Sequence, residues 1–174
     1  MAGNLELIKS ASGSSVNFLD ITDCFSDDYN VYALILGKID VSADATFVYV
    51  RYLDSGGTVI SSAEYDRADL RLKANASFEE GKQTSDVYGL RLQTSAGLQT
   101  SEGGNATAYI YNPYDSSSYT FSLGQSVNAT GINVLQGSKS ISVHKSAEQI
   151  TGMRIARSNS ATFENIEVSV YGVK

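Results

Sequence analysis

The residues to test first for chemistry are acidic. Asp20, Asp23, Asp27 and Asp28 crowd into Leu19-Asp-Ile-Thr-Asp-Cys-Phe-Ser-Asp-Asp-Tyr29. Calcium takes about six to eight oxygen ligands, so four aspartates in one loop are candidates for part of a site. The spacing departs from the EF-hand loop, with no Gly at its sixth position and no Glu at its twelfth. Between strands, aspartates more often form turns and carry solvated charge, and that reading outweighs metal binding. Glu64, Asp66, Asp69, Glu79 and Glu80 offer carboxylate pairs of the kind that glycoside hydrolysis needs. Any acidic chain offers such pairs, and this one has no Trp to stack against a sugar. A solvated face is the better reading.

The remaining chemistry is thinner still. The chain has one His (His144), one Cys (Cys24) and one Pro (Pro113), which excludes a Cys/His zinc site and an intrachain disulfide framework. In Ile141-Ser-Val-His-Lys145, alternation sets His144 opposite Ile141 and Val143, toward solvent or a partner. Ser140, Ser142 and Ser146 stand nearby, but no Gly-x-Ser-x-Gly elbow activates a nucleophile. Cys24, beside Phe25, reads as a small buried hydrophobe. No Gly-rich phosphate loop occurs. The expected role is therefore non-enzymatic, with no cofactor. Eleven Tyr are the unusual feature. Tyr109, Tyr111, Tyr114 and Tyr119 gather around Asn112-Pro113, and Tyr109 and Tyr111 share a strand face. Such a cluster suits partner contact or sugar stacking; capping the core is an equal alternative.

The elements that must position these residues are strands. Thr46-Phe-Val-Tyr-Val-Arg-Tyr-Leu53 is apolar on both faces, as for a central strand with a covered outer side. Asp54-Ser-Gly-Gly57 then signals a turn into a return strand starting at Thr58. Segments starting at Val31, Leu70, Val87, Ala106, Tyr119 and Ser140 alternate in the same manner. Ile150-Thr-Gly-Met-Arg-Ile-Ala156, a polar turn and Ile166-Glu-Val-Ser-Val-Tyr171 read as a C-terminal hairpin. Residues 79–81 have room for one helical turn; no segment shows helical periodicity. Residues 94–105 form the longest polar stretch and are expected as a mobile tip or contact loop.

A chain of 174 residues is one domain, residues 1–174, with enough length for a sizeable core. The expected fold is all-β: an antiparallel β-sandwich of jelly-roll type with essentially no helix. Leu34, Leu36, Val48, Val50, Leu90, Leu92, Ile155, Val168 and Val170 are the expected core. A net charge of −6 argues against nucleic-acid binding. The longest apolar run covers only residues 31–36, too short for a membrane span. The first residues lack the basic and apolar regions of a signal peptide, so synthesis in the cytoplasm is expected, and three sequons (Asn75, Asn105, Asn128) read as chance.

The pattern along most of the chain resembles a family. It opens with Asp20-x-x-Asp23…Asp27-Asp-Tyr29-x-Val-Tyr32, then Arg51-Tyr-Leu-Asp-Ser-Gly-Gly-Thr-Val59 and Ser62-Ala-Glu-Tyr-Asp66. It closes with Ile150-Thr-Gly-Met-Arg-Ile-Ala156 and Ile166-Glu-Val-Ser-Val-Tyr-Gly-Val-Lys174. This resembles the jelly-roll virion accessory proteins of tailed bacteriophages: capsid decoration (cement) proteins and related knob and tail-appendage domains. The resemblance implies a virion protein on the outer capsid surface, contacting the major capsid protein or another virion protein, with no catalytic residues. A homo-oligomer, most plausibly a trimer, fits the threefold points of a capsid lattice. The alternatives are a glycan-binding appendage for host attachment and, more remotely, a calcium-dependent carbohydrate-active enzyme domain.

Overall fold

The computed structural model describes residues 4–174, apart from the side chains of Thr94, Ser95 and Thr100. The strands in chain order are β1 (Leu5–Gly13), β2 (Leu19–Ile21), β3 (Val31–Val41), β4 (Thr46–Asp54), β5 (Tyr65–Lys73) and β6 (Glu79–Asp86). They continue with β7 (Arg91–Ala96), β8 (Gly104–Tyr111), β9 (Thr120–Ala129), β10 (Leu135–His144), β11 (Ile150–Arg157) and β12 (Phe163–Val173). Among the described residues the only helical element is a 3₁₀ turn at Thr100–Glu102. The strands form an eight-stranded sheet, β1-β12-β3-β8-β9-β10-β5-β6, and a four-stranded sheet, β2-β11-β4-β7. All pairings are antiparallel, and the two sheets form a β-sandwich. A jelly roll distributes eight strands over two Greek keys; this sandwich has more strands and divides them unevenly.

The core lies between the sheets. Leu34 and Leu36 from β3, Val48 and Val50 from β4, Leu92 from β7, Ile155 from β11, and Val168 and Val170 from β12 are all buried, as is Leu90 just before β7. First and last strands are neighbours, with β1 paired to β12. The free edge β6 carries exposed Glu80, Lys82, Gln83 and Thr84, and such charge discourages edge-to-edge association.

Opposite the centre of the core, the large sheet is lined with small residues: Ala106 and Ala108 on β8, Ser122 and Gly124 on β9, Ser140 and Ser142 on β10, all buried. They face large ones. A Cβ on Gly124 would stand 3.2 Å from Leu90 Cδ2. Tyr52 and Tyr65 lie 5.9 Å apart by ring centroid, and both flank the His144 ring. The charged inward residues of β5 are paired: Arg67 with Asp86, and Asp69 with Arg91 at 2.9 Å. Arg67 and Arg91 also sit over the Tyr49 ring, which stacks on Tyr88 at 4.8 Å. These contacts cover the outer side of β4.

Several local expectations change. Residues 79–81 begin β6, because pairing with β5 supplies the hydrogen bonds that one isolated helical turn lacks. The return strand after Asp54 shrinks to a bridge, Leu53 to Val59, closed by Ile60 N donating to Tyr52 O. Asp54 Oδ1 holds that turn by accepting from Gly56 N and Thr58 N. β11 and β12 are not a hairpin: β11 pairs with β4 and β2, whereas β12 pairs with β3 and β1, so residues 158–162 cross between sheets. Residues 94–105 supply the end of β7, the 3₁₀ turn and the start of β8, tied by Gly97 N to Ala129 O. Leu34→Ala or Ile155→Ala should each cost about 2–5 kcal/mol in denaturant unfolding, since both side chains are fully enclosed.

Candidate functional site

His144 points inward, not outward. It is wholly buried, and its neighbours Ile141 and Val143 face solvent instead. The reason is steric. The inner face of β10 must admit the Tyr52 and Tyr65 rings, and Ser138, Ser140, Ser142 and the flat imidazole fit beside them. Bulkier Ile141 and Val143 are left outside. The same holds on β9, where Thr120, Ser122 and Gly124 face in, and Phe121, Leu123 and Val127 face out.

The outward residues fall into cross-strand register. One row runs Leu7–Tyr171–Ala33–Tyr109–Leu123–Ile141–Ala68, apolar or aromatic across seven consecutive strands, with the small Ala33 itself buried. At ~4.8 Å per strand step it spans about 29 Å. The adjacent row is Val31–Tyr111–Phe121–Val143, ending at Asp66. Phe121 is 50% and Ile141 57% exposed, and Leu70, Leu72, Val127 and Leu135 extend the surface along the strands. Toward β5 and β6 the face deepens into a cleft of about 810 Å³. Phe121, Leu123, Ile141, Val143 and Ala68 line it, with Tyr111 on one side and Lys82, Gln83 and Thr84 on the other. Isolated exposed hydrophobics are ordinary in proteins; a continuous apolar sheet face is characteristic of an interaction surface.

The four tyrosines divide. Tyr109 and Tyr111 belong to this face, in adjacent rows; Tyr119 is exposed just before β9. Tyr114 is partly buried and packs against the core. The four aspartates do not converge. Asp20 is held by Arg154 through two bonds of 2.6 and 2.7 Å, and Asp23, Asp27 and Asp28 are exposed. Asp28 accepts from Ser26 Oγ at 2.9 Å. Cys24 is buried, and burial pushes its thiol up to about 12, so it is held in the unreactive form. Among the described residues one metal-competent cluster does assemble: Glu64, His144 and Glu148, with ligand atoms within 4.8 Å of one another. The sequence offered no sign of Glu64 in this group, since β5–β10 pairing is what joins the two segments.

No protein-family model matches the chain, and no curated protein matches it. No helix among the described residues is long and apolar enough to cross a membrane.

Burial also sets an alkaline limit. Desolvation raises the Tyr52 phenol from 10.0 to about 12, and it raises Tyr65 in the same direction. Both groups are raised, so their contribution is complete below pH 10. It falls as pH climbs from 10 toward 12, because the unfolded chain ionises first. Denaturant unfolding at about pH 11.5 should show on the order of 2 kcal/mol less stability from Tyr52 than at pH 9. Tyr52→Phe should remove that part of the pH dependence.

Proposed function

We propose that this chain is a structural assembly protein that acts by binding energy alone through the outer face of its eight-stranded sheet. The first partner is further copies of the same chain, assembled as a trimer. The setting implied by the sequence pattern is the exterior of a phage virion, as a decoration protein contacting the major capsid protein or another virion protein. The observation that carries the reading is the apolar row across seven strands, adjoining the tyrosine-flanked cleft. Four rows of outward residues at ~7 Å spacing make a face of roughly 600 Å², apolar in the two rows described and mixed in the next, where Ile35 and Leu70 flank Thr107, Gln125 and Lys139. A partner that covered it together with its rim would approach the ~800 Å² per side of a standard interface. Exposed Leu5 and Leu7 lie at one end of the face and the cleft at the other, so its two ends differ in shape. Unlike ends favour heterologous contacts, which close into a ring when the rotation between copies is a whole fraction of a turn. Charged groups on this surface include Lys139, between Leu70 and Gln125, Lys82 and Glu80 opposite Ala68 and Leu70 on the β6 edge, and Asp66, paired with Lys145 at 2.9 Å.

A second reading draws on the cleft itself. Its volume lies within the ~300–1,000 Å³ of small-ligand sites, and Tyr111 and Phe121 offer ring faces beside Gln83 and Thr84. Those features suit a sugar, as an attachment module requires.

Sedimentation at tens of micromolar should give a species well above the 18.6 kDa protomer. Ile141→Asp and Phe121→Asp should each dissociate it while leaving the β-type circular dichroism intact, because both side chains face outward. A monomer at all concentrations, combined with glycan-array binding that Phe121→Asp abolishes, would replace this reading with the attachment module.

A further inference from the structure

His144, Glu64 and Glu148 stand at one end of the β5–β10 pair. Glu64 directly precedes β5, His144 is the last residue of β10, and Glu148 lies in the connection to β11. The backbone fixes their approach: Tyr65 pairs with His144, and Lys145 N donates to Glu64 O at 2.9 Å. The imidazole has no solvent exposure and is lodged between Tyr65 at 4.9 Å and the edge of Tyr52 at 6.1 Å. Its Nε2 therefore leaves the core in one fixed direction, 3.0 Å from Glu148 Oε1. Glu64 is steadied from behind, where Ser62 Oγ donates to its Oε2 at 2.6 Å.

Two further observations call for a cation at this point. Both carboxylates converge there, yet among the described residues no Lys or Arg forms an ion pair with either. Lys145, next in sequence to His144, turns instead to Asp66. The second is the direction of the imidazole: its one polar contact is Nε2 with Glu148 Oε1 at the cluster, while Nδ1, buried without a hydrogen-bond partner, would carry the ring's proton when Nε2 holds a metal. A fully buried ring whose single polar contact faces two carboxylates is arranged as a ligand arm.

We propose that Glu64, His144 and Glu148 form a binding site for a divalent transition metal of the zinc class. One imidazole nitrogen and two carboxylate oxygens are borderline-to-hard donors, which suit Zn²⁺ or Co²⁺ and do not suit the all-oxygen preference of Ca²⁺. Around such an ion, tetrahedral ligand atoms stand ~3.4 Å apart. The observed separations, up to 4.8 Å, close to that by rotation of the two half-exposed glutamates about a fixed imidazole. Three protein ligands leave a fourth position for water or for a group from a partner. The bound ion would clip the β10–β11 connection to the start of β5, beside the rim of the apolar face.

The test uses the full chain, stripped with a chelator and titrated with ZnCl₂, CoCl₂ and CaCl₂. Zn²⁺ should bind one to one and raise the melting temperature, Co²⁺ should give the visible absorption of a tetrahedral site, and Ca²⁺ should do neither. Glu64→Gln and Glu148→Gln, at partly exposed positions, should fold normally and weaken Zn²⁺ by roughly tenfold or more. His144→Gln should abolish binding, but its burial makes the two glutamate variants the decisive ones. Absence of Zn²⁺ binding, undiminished binding in both glutamate variants, or equal stabilisation by Ca²⁺ would overturn the proposal. Because Ile141→Asp leaves all three ligands in place, metal binding in that variant separates failure of this site from failure of the assembly reading.

Discussion

The fit between large rings on one side of the core and small residues on the other governs this structure. Tyr52, Tyr65 and Leu90 project into the space between the sheets, and Ala108, Ser122, Gly124, Ser140 and Ser142 give them room. A strand has only two faces, so turning the small residues inward turns Phe121, Leu123, Ile141 and Val143 outward. Slipping β9 or β10 by one residue would exchange the faces. That exchange would hide the hydrophobics, but on β9 it would drive Leu123 into space where a single added methyl at Gly124 already stands 3.2 Å from Leu90. Close packing on the inner side wins over hydrophobic cover on the outer side. The apolar outer face follows from that choice.

The same constraint explains the polar residues inside. Ser126 and Ser138 satisfy each other at 2.8 Å. His144 is admitted because a flat ring fits between two tyrosines, and its one polar contact is made where the core meets the surface. The Tyr52 and Tyr65 phenols are kept neutral by the burial that places them there. Interior packing, alkaline sensitivity and the metal-competent cluster therefore share one origin.

Much of the fold was legible in the sequence, because period-two alternation is local. It marked most of the strands, the near absence of helix among the described residues and all nine expected core residues from Leu34 to Val170. What alternation does not encode is which face turns inward. For β10 the apolar face, Ile141 and Val143, was the natural inner choice, and the decision lay with Tyr52 and Tyr65, far away in sequence. Sheet membership was hidden for the same reason. β11 and β12 look like hairpin strands, yet their partners are β4 and β3. Tyr109 and Tyr111 were legible as a surface pair, since they lie two apart on one strand. Glu64 joins His144 only through strand pairing, and the crowded aspartates, which did attract notice, are split by the Arg154 pairing to Asp20.

The central claim is that the outer face of the eight-stranded sheet is covered by further copies of the chain. Hydroxyl-radical footprinting read by mass spectrometry tests it within one molecule. Ile132 is 79% exposed and lies outside the face, so it calibrates labelling in open solvent. At tens of micromolar protein, Phe121 and Ile141 should label far more slowly than Ile132, and dilution should restore their rates. Labelling of Phe121 and Ile141 in proportion to their exposure in the single chain, unchanged by dilution, would contradict the account.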